Sequence, residues 1–252
     1  MWEDVEKELE SEEYKKEYQR SINIFNDFLH FYGFIMLYIK EKDKLFWRYM
    51  LDNMVQSLLA IKSLLFEGMN NPCRREMRFL IELSIKSCVI SQKHASDSID
   101  EQLEKYKDLL KSTNISMMND IDFYFFDEEI KSEFITEVKR TYGKLCNYVH
   151  LTPTQIKERF MLDATGRILG HEGTQDLFEL NNELEQVMVC LIIMLFHSVP
   201  TYCVGDYVVE KNGDMVEMYL KKSKYIKKVD EFFDYKCERQ ARLDEIIKAR
   251  RE

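Results

Sequence analysis

The chain has 252 residues, with 36 Lys and Arg against 45 Asp and Glu for a formal charge of −9, and its hydrophobic fraction of 45 % is ample for a core. Its 8 Gly and 3 Pro make up about 4 % of the chain, where an ordinary protein carries roughly 12 %. Turns, bulges and hairpins depend on those residues, so their scarcity excludes sandwiches, barrels and glycine-rich phosphate loops.

The expected fold is all-α: a helical bundle with a buried central helix at about 174–199 and charged helical extensions at both ends. Residues 1–20 hold eight acids and four bases and read as an acidic helical arm. From Ser21 the residues Ile22, Phe25, Leu29, Tyr32, Met36 and Ile39 recur at steps of three and four, an aromatic-rich helix. A second helix, near 44–68, carries Met50, Met54, Leu58, Ile61 and Leu65 and stops at Gly68. Asn71 is a candidate cap for a third, with Pro72 at a first-turn position where its missing N–H costs nothing. Ile99, Leu103, Tyr106 and Leu110 mark a shorter helix. The segment 112–126 is a loop so rich in apolar residues that it is expected to fold back onto the body.

Asp127 opens the next helix, whose buried stripe runs through Ile130, Phe134, Val138, Leu145 and Val149 and which must end near His150 or Leu151, because Pro153 follows. Thr152 and Gln155 have capping-box spacing. Gly166, Gly170 and Gly173 mark an internal loop that also holds His171 and Glu172. The uncharged run Val187 to Phe196 belongs to a helix surrounded on all sides, which ends at Pro200. Asn212-Gly213 suits a hairpin turn, yet Asp214 and Glu217 have the spacing of a helix start, and the second reading is the favoured one. Residues 201–252 form a basic extension, with one helical pattern from Val229 to Ala249, and 21–200 form the bundle domain. The acidic arm and the basic end are candidates to pair with each other, within the chain or across a dimer.

No apolar stretch reaches the ~20 residues that span a membrane. The opening segment is acidic rather than basic and apolar, so no secretory leader is expected. Six scattered cysteines without metal spacing fit a reduced, cytoplasmic protein with no metal and no cofactor. A charge of −9 disfavours duplex DNA.

Two constellations stand out. Arg78 and Glu82 lie one helical turn apart, flanked by Arg74, Arg75 and Lys86; they form either a ladder of ion pairs or an electropositive helix start that attracts phosphate or carboxylate. On the helix from Asp127, the 100° rotation per residue puts Tyr142, Cys146 and His150 along one edge of the buried stripe, with Arg140 and Asn147 beside it. An imidazole at such a rim suits general acid–base chemistry; the alternative is a histidine that bonds the helix's last carbonyls. His197, within the central helix, reads as a satisfied core histidine.

The segments Arg78-Phe-Leu-Ile-Glu82 and Tyr142-x-x-Leu145-x-x-x-Val149-His150 resemble bacterial helical proteins of the abortive-infection and HEPN-like type. The resemblance covers roughly residues 50–200. It implies a dimerising bundle from a defence or toxin-type system whose catalytic members cut RNA without a metal through an Arg-x(4–6)-His motif. On that basis the expected catalytic residues are His150, Arg140 and Asn147, with Arg78, Glu82 and Tyr142 binding phosphate or ligand. The match is partial, because nine residues separate Arg140 from His150 and three separate Arg167 from His171. The other expectation is a non-catalytic interaction module whose charged ends bind a protein partner.

Overall fold

The computed structural model describes residues 2–39, 46–112, 114–150, 152–164 and 173–251. Among these residues it is all-α, 79 % helical, with twelve α-helices packed as a bundle. They are α1 (Trp2–Leu9), α2 (Glu12–Tyr38), α3 (Phe46–Phe66), α4 (Asn70–Lys93), α5 (Ile99–Leu110) and α6 (Glu128–Cys146). The chain continues through α7 (Pro153–Ala164), α8 (Thr174–Phe196), α9 (Thr201–Val208), α10 (Lys224–Phe232), α11 (Cys237–Gln240) and α12 (Leu243–Arg251). No described helix is long and apolar enough to cross a membrane.

The organising element is α8, in which every residue from Val187 to Phe196 is buried. A helix apolar on all sides must be surrounded, and α2, α4, α6 and α10 pack around it while α3 lies against α4. Residues 203–233 contribute Val204, Tyr225, Ile226, Val229 and Phe233 to the same core cluster, so this part of the expected basic extension is packed into the bundle. Asp27 of α2 fixes part of it: its buried carboxylate accepts from the backbone N–H groups of Tyr219 and Leu220 at 3.0 and 2.7 Å.

Helix ends follow local chemistry. The end of α3 is a Schellman motif, with Gly68 at φ 65° and the N–H of Met69 bonded to the Leu64 carbonyl at 2.7 Å. The arm does not stay apart from the first core helix. Ser11 accepts from the Tyr14 N–H and caps α2, which then runs unbroken to Tyr38. Asn71 is not the cap of α4, which begins one residue earlier; Pro72 still lies in the first turn, where its lack of an N–H is harmless. The apolar loop does fold back: its 3-10 turn (Ser116–Asp120) and the residues after it bury Met118, Ile121, Phe123 and Phe125. The segment 165–172, with Gly166, Arg167, Gly170, His171 and Glu172, lies outside the described residues.

The expected helix start at Asp214 is corrected to a hairpin-like turn. Val208 accepts from the Val216 N–H, Glu210 N–H bonds the Asp214 carbonyl, and Gly213 takes φ 86°. A Cβ at Gly213 would stand 2.3 Å from the Glu238 carbonyl oxygen, so this close approach admits only glycine. The single helical pattern over 229–249 also divides, into the end of α10, α11 and α12. The cause is a buried ionic knot. Arg239, wholly buried, bonds the Asp230 carboxylate, the Asp230 carbonyl at 2.7 Å and the Gly213 carbonyl at 3.0 Å, while Arg250 returns from α12 to Asp230 and Asp234. To converge on one centre the chain must turn twice. The basic end thus pairs with itself and with acids of α6, α8 and α9.

Removing one partner of a buried ionic pair leaves the other charged and unpaired. Arg239→Ala should destabilise the protein by about 3 kcal/mol in urea unfolding, the low end of such effects because Arg250 still reaches Asp230. An unchanged midpoint would show that the knot contributes nothing.

Candidate functional site

The two segments singled out in the sequence meet in space, because α4 packs on both α6 and α8. Arg78 of α4 donates to the Tyr142 hydroxyl at 2.8 Å and to the Cys146 sulfur at 3.3 Å, and lies 3.2 Å from Glu82. Tyr142 in turn donates to Glu82 at 3.3 Å. The other oxygen of Glu82 accepts from Lys86 at 2.5 Å, and the buried Lys86 ammonium also bonds the Ser112 carbonyl at 3.0 Å. Burial, and then the Glu82 carboxylate, hold the Tyr142 phenol well above its usual pKa, so it remains a donor. Arg78, Glu82 and Tyr142 are therefore brought together, but as a network satisfied from within.

One turn earlier on α4, Arg74 lies 2.7 Å from Glu183 of α8 and stacks on the Tyr148 ring at 4.7 Å. Lys144 of α6 reaches the same Glu183 at 2.6 Å. This shared carboxylate ties α4, α6 and α8 together at the end of α6.

Arg140, Asn147 and His150 are all exposed, along one solvent-facing stripe of α6 and the turns that continue it. The stripe passes Gly143, where a Cβ would meet open space. No hydrogen bond joins the three to one another among the described contacts. The last carbonyls of this segment already have other donors. Asn147 accepts from Thr152 at 3.1 Å and from the Gln155 amide at 2.8 Å, and Tyr148 accepts from the Arg75 guanidinium at 2.7 Å. Thr152 also accepts from the Gln155 N–H at 3.4 Å, so the capping box is half formed: the Gln155 side chain turns to Asn147. The capping role that a terminal histidine fills elsewhere is thus occupied, and the His150 ring bonds no described residue.

Arg75 was legible only as one of the bases flanking Arg78 and Glu82. Its exposed guanidinium is anchored two residues from His150 in the chain, at most about 7.6 Å between Cα positions. Arg140 stands about 15 Å of helical rise before His150, too far for both to hold one phosphate.

The remaining histidine of interest, His197, has a different character. It is caged by Phe123, Tyr124, Phe125 and Phe126, with ring centroids at 4.8–5.3 Å, and its Nδ1 lies 2.8 Å from the Ile193 carbonyl. Burial lowers its pKa to about 4. Among the acids near the same loop, Asp127 serves as the cap of α6, accepting from the Ile130 N–H at 3.0 Å. Among the described residues no group of three or more His, Cys, Asp or Glu is placed to hold a metal ion. Comparison with family models, with curated proteins and with solved structures finds no match.

Two outcomes follow from this geometry. Glu82→Leu should cost about 3 kcal/mol in urea unfolding, because Lys86 is left buried with only one carbonyl, whereas the exposed His150→Ala should stay within about 0.5 kcal/mol of wild type. His197 is neutral when folded and binds a proton on unfolding below its ordinary pKa of 6.5, so its contribution is complete above that value and lost as pH falls toward about 4. Over that window wild type should lose up to roughly 3 kcal/mol more stability than His197→Gln; parallel stability–pH curves would contradict the assignment.

Proposed function

We propose that the protein is a HEPN-like helical protein of a bacterial defence or toxin-type system that binds RNA on the exposed face of α6 and cleaves it without a metal. The observation that carries this reading is the state of His150. Its imidazole is exposed at the end of α6, while Arg75, Thr152 and Gln155 make the capping bonds that would otherwise occupy it. An exposed imidazole is within reach of a substrate as a general acid–base group.

In such a reaction His150 takes the proton of a ribose 2′-hydroxyl as that oxygen attacks the adjacent phosphorus. The bond to the 5′ oxygen breaks, leaving a 2′,3′-cyclic phosphate and a 5′ oxygen that takes a proton from water to become a hydroxyl, while the His150 imidazolium returns its proton to solvent. Arg75 is the guanidinium best placed to hold the reacting phosphate. Arg140 lies farther along the strand path and Asn147 beside it, both free to bind neighbouring nucleotides. Arg78, Glu82 and Tyr142 hold α4 against α6 and keep this edge rigid. In the HEPN-like reading a second copy of the chain completes the groove, as a homodimer.

The second reading is a non-catalytic interaction module that binds a protein partner. It is favoured by the inward pairing of Arg74 and Arg78, which leaves His150 without a bonded arginine. Incubation of the purified chain with total RNA in the presence of EDTA separates the two. Wild type should cut the RNA to cyclic-phosphate ends, and His150→Ala should slow cutting by about 10²-fold or more. Intact RNA with wild type, or equal cutting by both proteins, would reject the enzymatic reading.

A further inference from the structure

The apolar residues of α4 between Cys73 and Ile90 are buried with one exception. Phe79 is 44 % exposed, and its ring meets no other ring and no cation among the described contacts. A single exposed apolar side chain needs no explanation of its own. The setting of this one supplies a reason. Arg75 stands one helical turn before it on the same exposed face of α4, which brings the two Cβ atoms to about 5–6 Å.

The charge of Arg75 is the one left over here. Its Nε donates to the Tyr148 carbonyl at 2.7 Å, and among the described contacts it meets no carboxylate. The neighbouring carboxylates are each met by two cations: Glu183 by Arg74 and Lys144, and Glu82 by Arg78 and Lys86. Even with Glu76 and the Tyr148-bonded Glu158 counted, this patch is positive in a chain of formal charge −9. It suits a phosphate, which a guanidinium holds through charge-assisted hydrogen bonds. An exposed ring beside a phosphate site offers what the base of the same nucleotide needs, a flat apolar face to stack on. One helical turn is also about the reach from a phosphate to the base of its own nucleotide.

The helices set the direction. Arg75 reaches Tyr148, whereas Arg78 reaches Tyr142 and Cys146, so α4 runs antiparallel to α6. Phe79 therefore lies on the far side of Arg75 from His150, toward Arg140. We propose that Phe79 is the base-stacking residue of this edge and takes the base of the nucleotide on the 3′ side of the cut. The strand passes from His150, which faces the 2′-hydroxyl, over the phosphate on Arg75 to the Phe79 ring, and onward to Arg140. The assignment rests on the ribonuclease reading for this direction. A purine has more stacking area than a pyrimidine, and a base inside a duplex has no free face, so the edge selects unpaired purines after the cut.

Single-stranded deoxyoligonucleotides lack the 2′-hydroxyl and cannot be cut this way, so they read binding by the full chain apart from cleavage. The probes are oligodeoxyadenylate, oligothymidylate and the same backbone without bases, followed by fluorescence anisotropy. Oligodeoxyadenylate should bind more tightly than oligothymidylate, and about tenfold more tightly than the abasic strand. Phe79→Leu keeps an apolar side chain and should keep the urea midpoint, yet weaken oligodeoxyadenylate by about five- to tenfold; Phe79→Trp should bind it at least as tightly as wild type. In RNA cut by wild type, fragments with a 5′-hydroxyl should begin mostly with A or G, a bias that Phe79→Leu loses. The two readings fail separately: intact RNA rejects the ribonuclease, while deoxyadenylate binding that depends on the Phe79 ring still supports the stacking site. The stacking assignment is overturned if no strand binds, if the abasic strand matches oligodeoxyadenylate, if Phe79→Leu binds as wild type does, or if RNA is cut without a purine bias.

Discussion

Helix α8 has no polar side between Val187 and Phe196, and water can be kept from such a helix only by packing other helices against every flank. Each Leu, Ile, Val or Phe buried there contributes roughly 1.5–3 kcal/mol, which makes the surround of α2, α4, α6 and α10 the arrangement that the rest of the molecule must accommodate. The N-terminal half of the same helix emerges from the core carrying Asn181, Glu183 and Glu185, and those polar groups must find partners on whichever helices surround them. Ser21 bonds Asn181 at 2.6 Å, Arg74 and Lys144 converge on Glu183, and Arg20 and Lys222 converge on Glu185.

These shared carboxylates act on geometry more than on stability, since the desolvation of a buried ion pair offsets most of its attraction. Glu183 fixes the N-terminal part of α4 against the end of α6. That contact lets Arg75 bond the Tyr148 carbonyl and frees the His150 ring. Glu185 fixes α2 and the 219–222 turn on the other flank. Both flanks are thus positioned by two acids two residues apart on α8. The ionic knot at Arg239 does the same for the chain's end, holding α12 back on α10.

Much of this was legible because it is local. Periodicity marked α2, α3, α6 and α8, and Gly68 marked a helix stop, but the rotation per residue was carried on to His150 although α6 ends at Cys146 and gives way to turns. Other features depend on partners far away in the chain. Nothing near Asp214 in sequence shows that Gly213 must pass within 2.3 Å of where Glu238 lies, so the capping spacing at Asp214 and Glu217 misled. Arg75 looks like its neighbours Arg74 and Arg78 until Glu183 and Tyr142 take those two inward.

The sequence by itself determined the fold class, the buried central helix and the candidate residues on each helix face. Those follow from composition, from the 3.6-residue repeat and from residues that terminate helices, all read within a few turns of chain. Only the tertiary structure decided which charges neutralise one another and which carbonyls are already capped. Those outcomes depend on residues as far as 193 positions apart, as for Asp27 and Leu220, coming within hydrogen-bond distance. Local periodicity carries no information at that range.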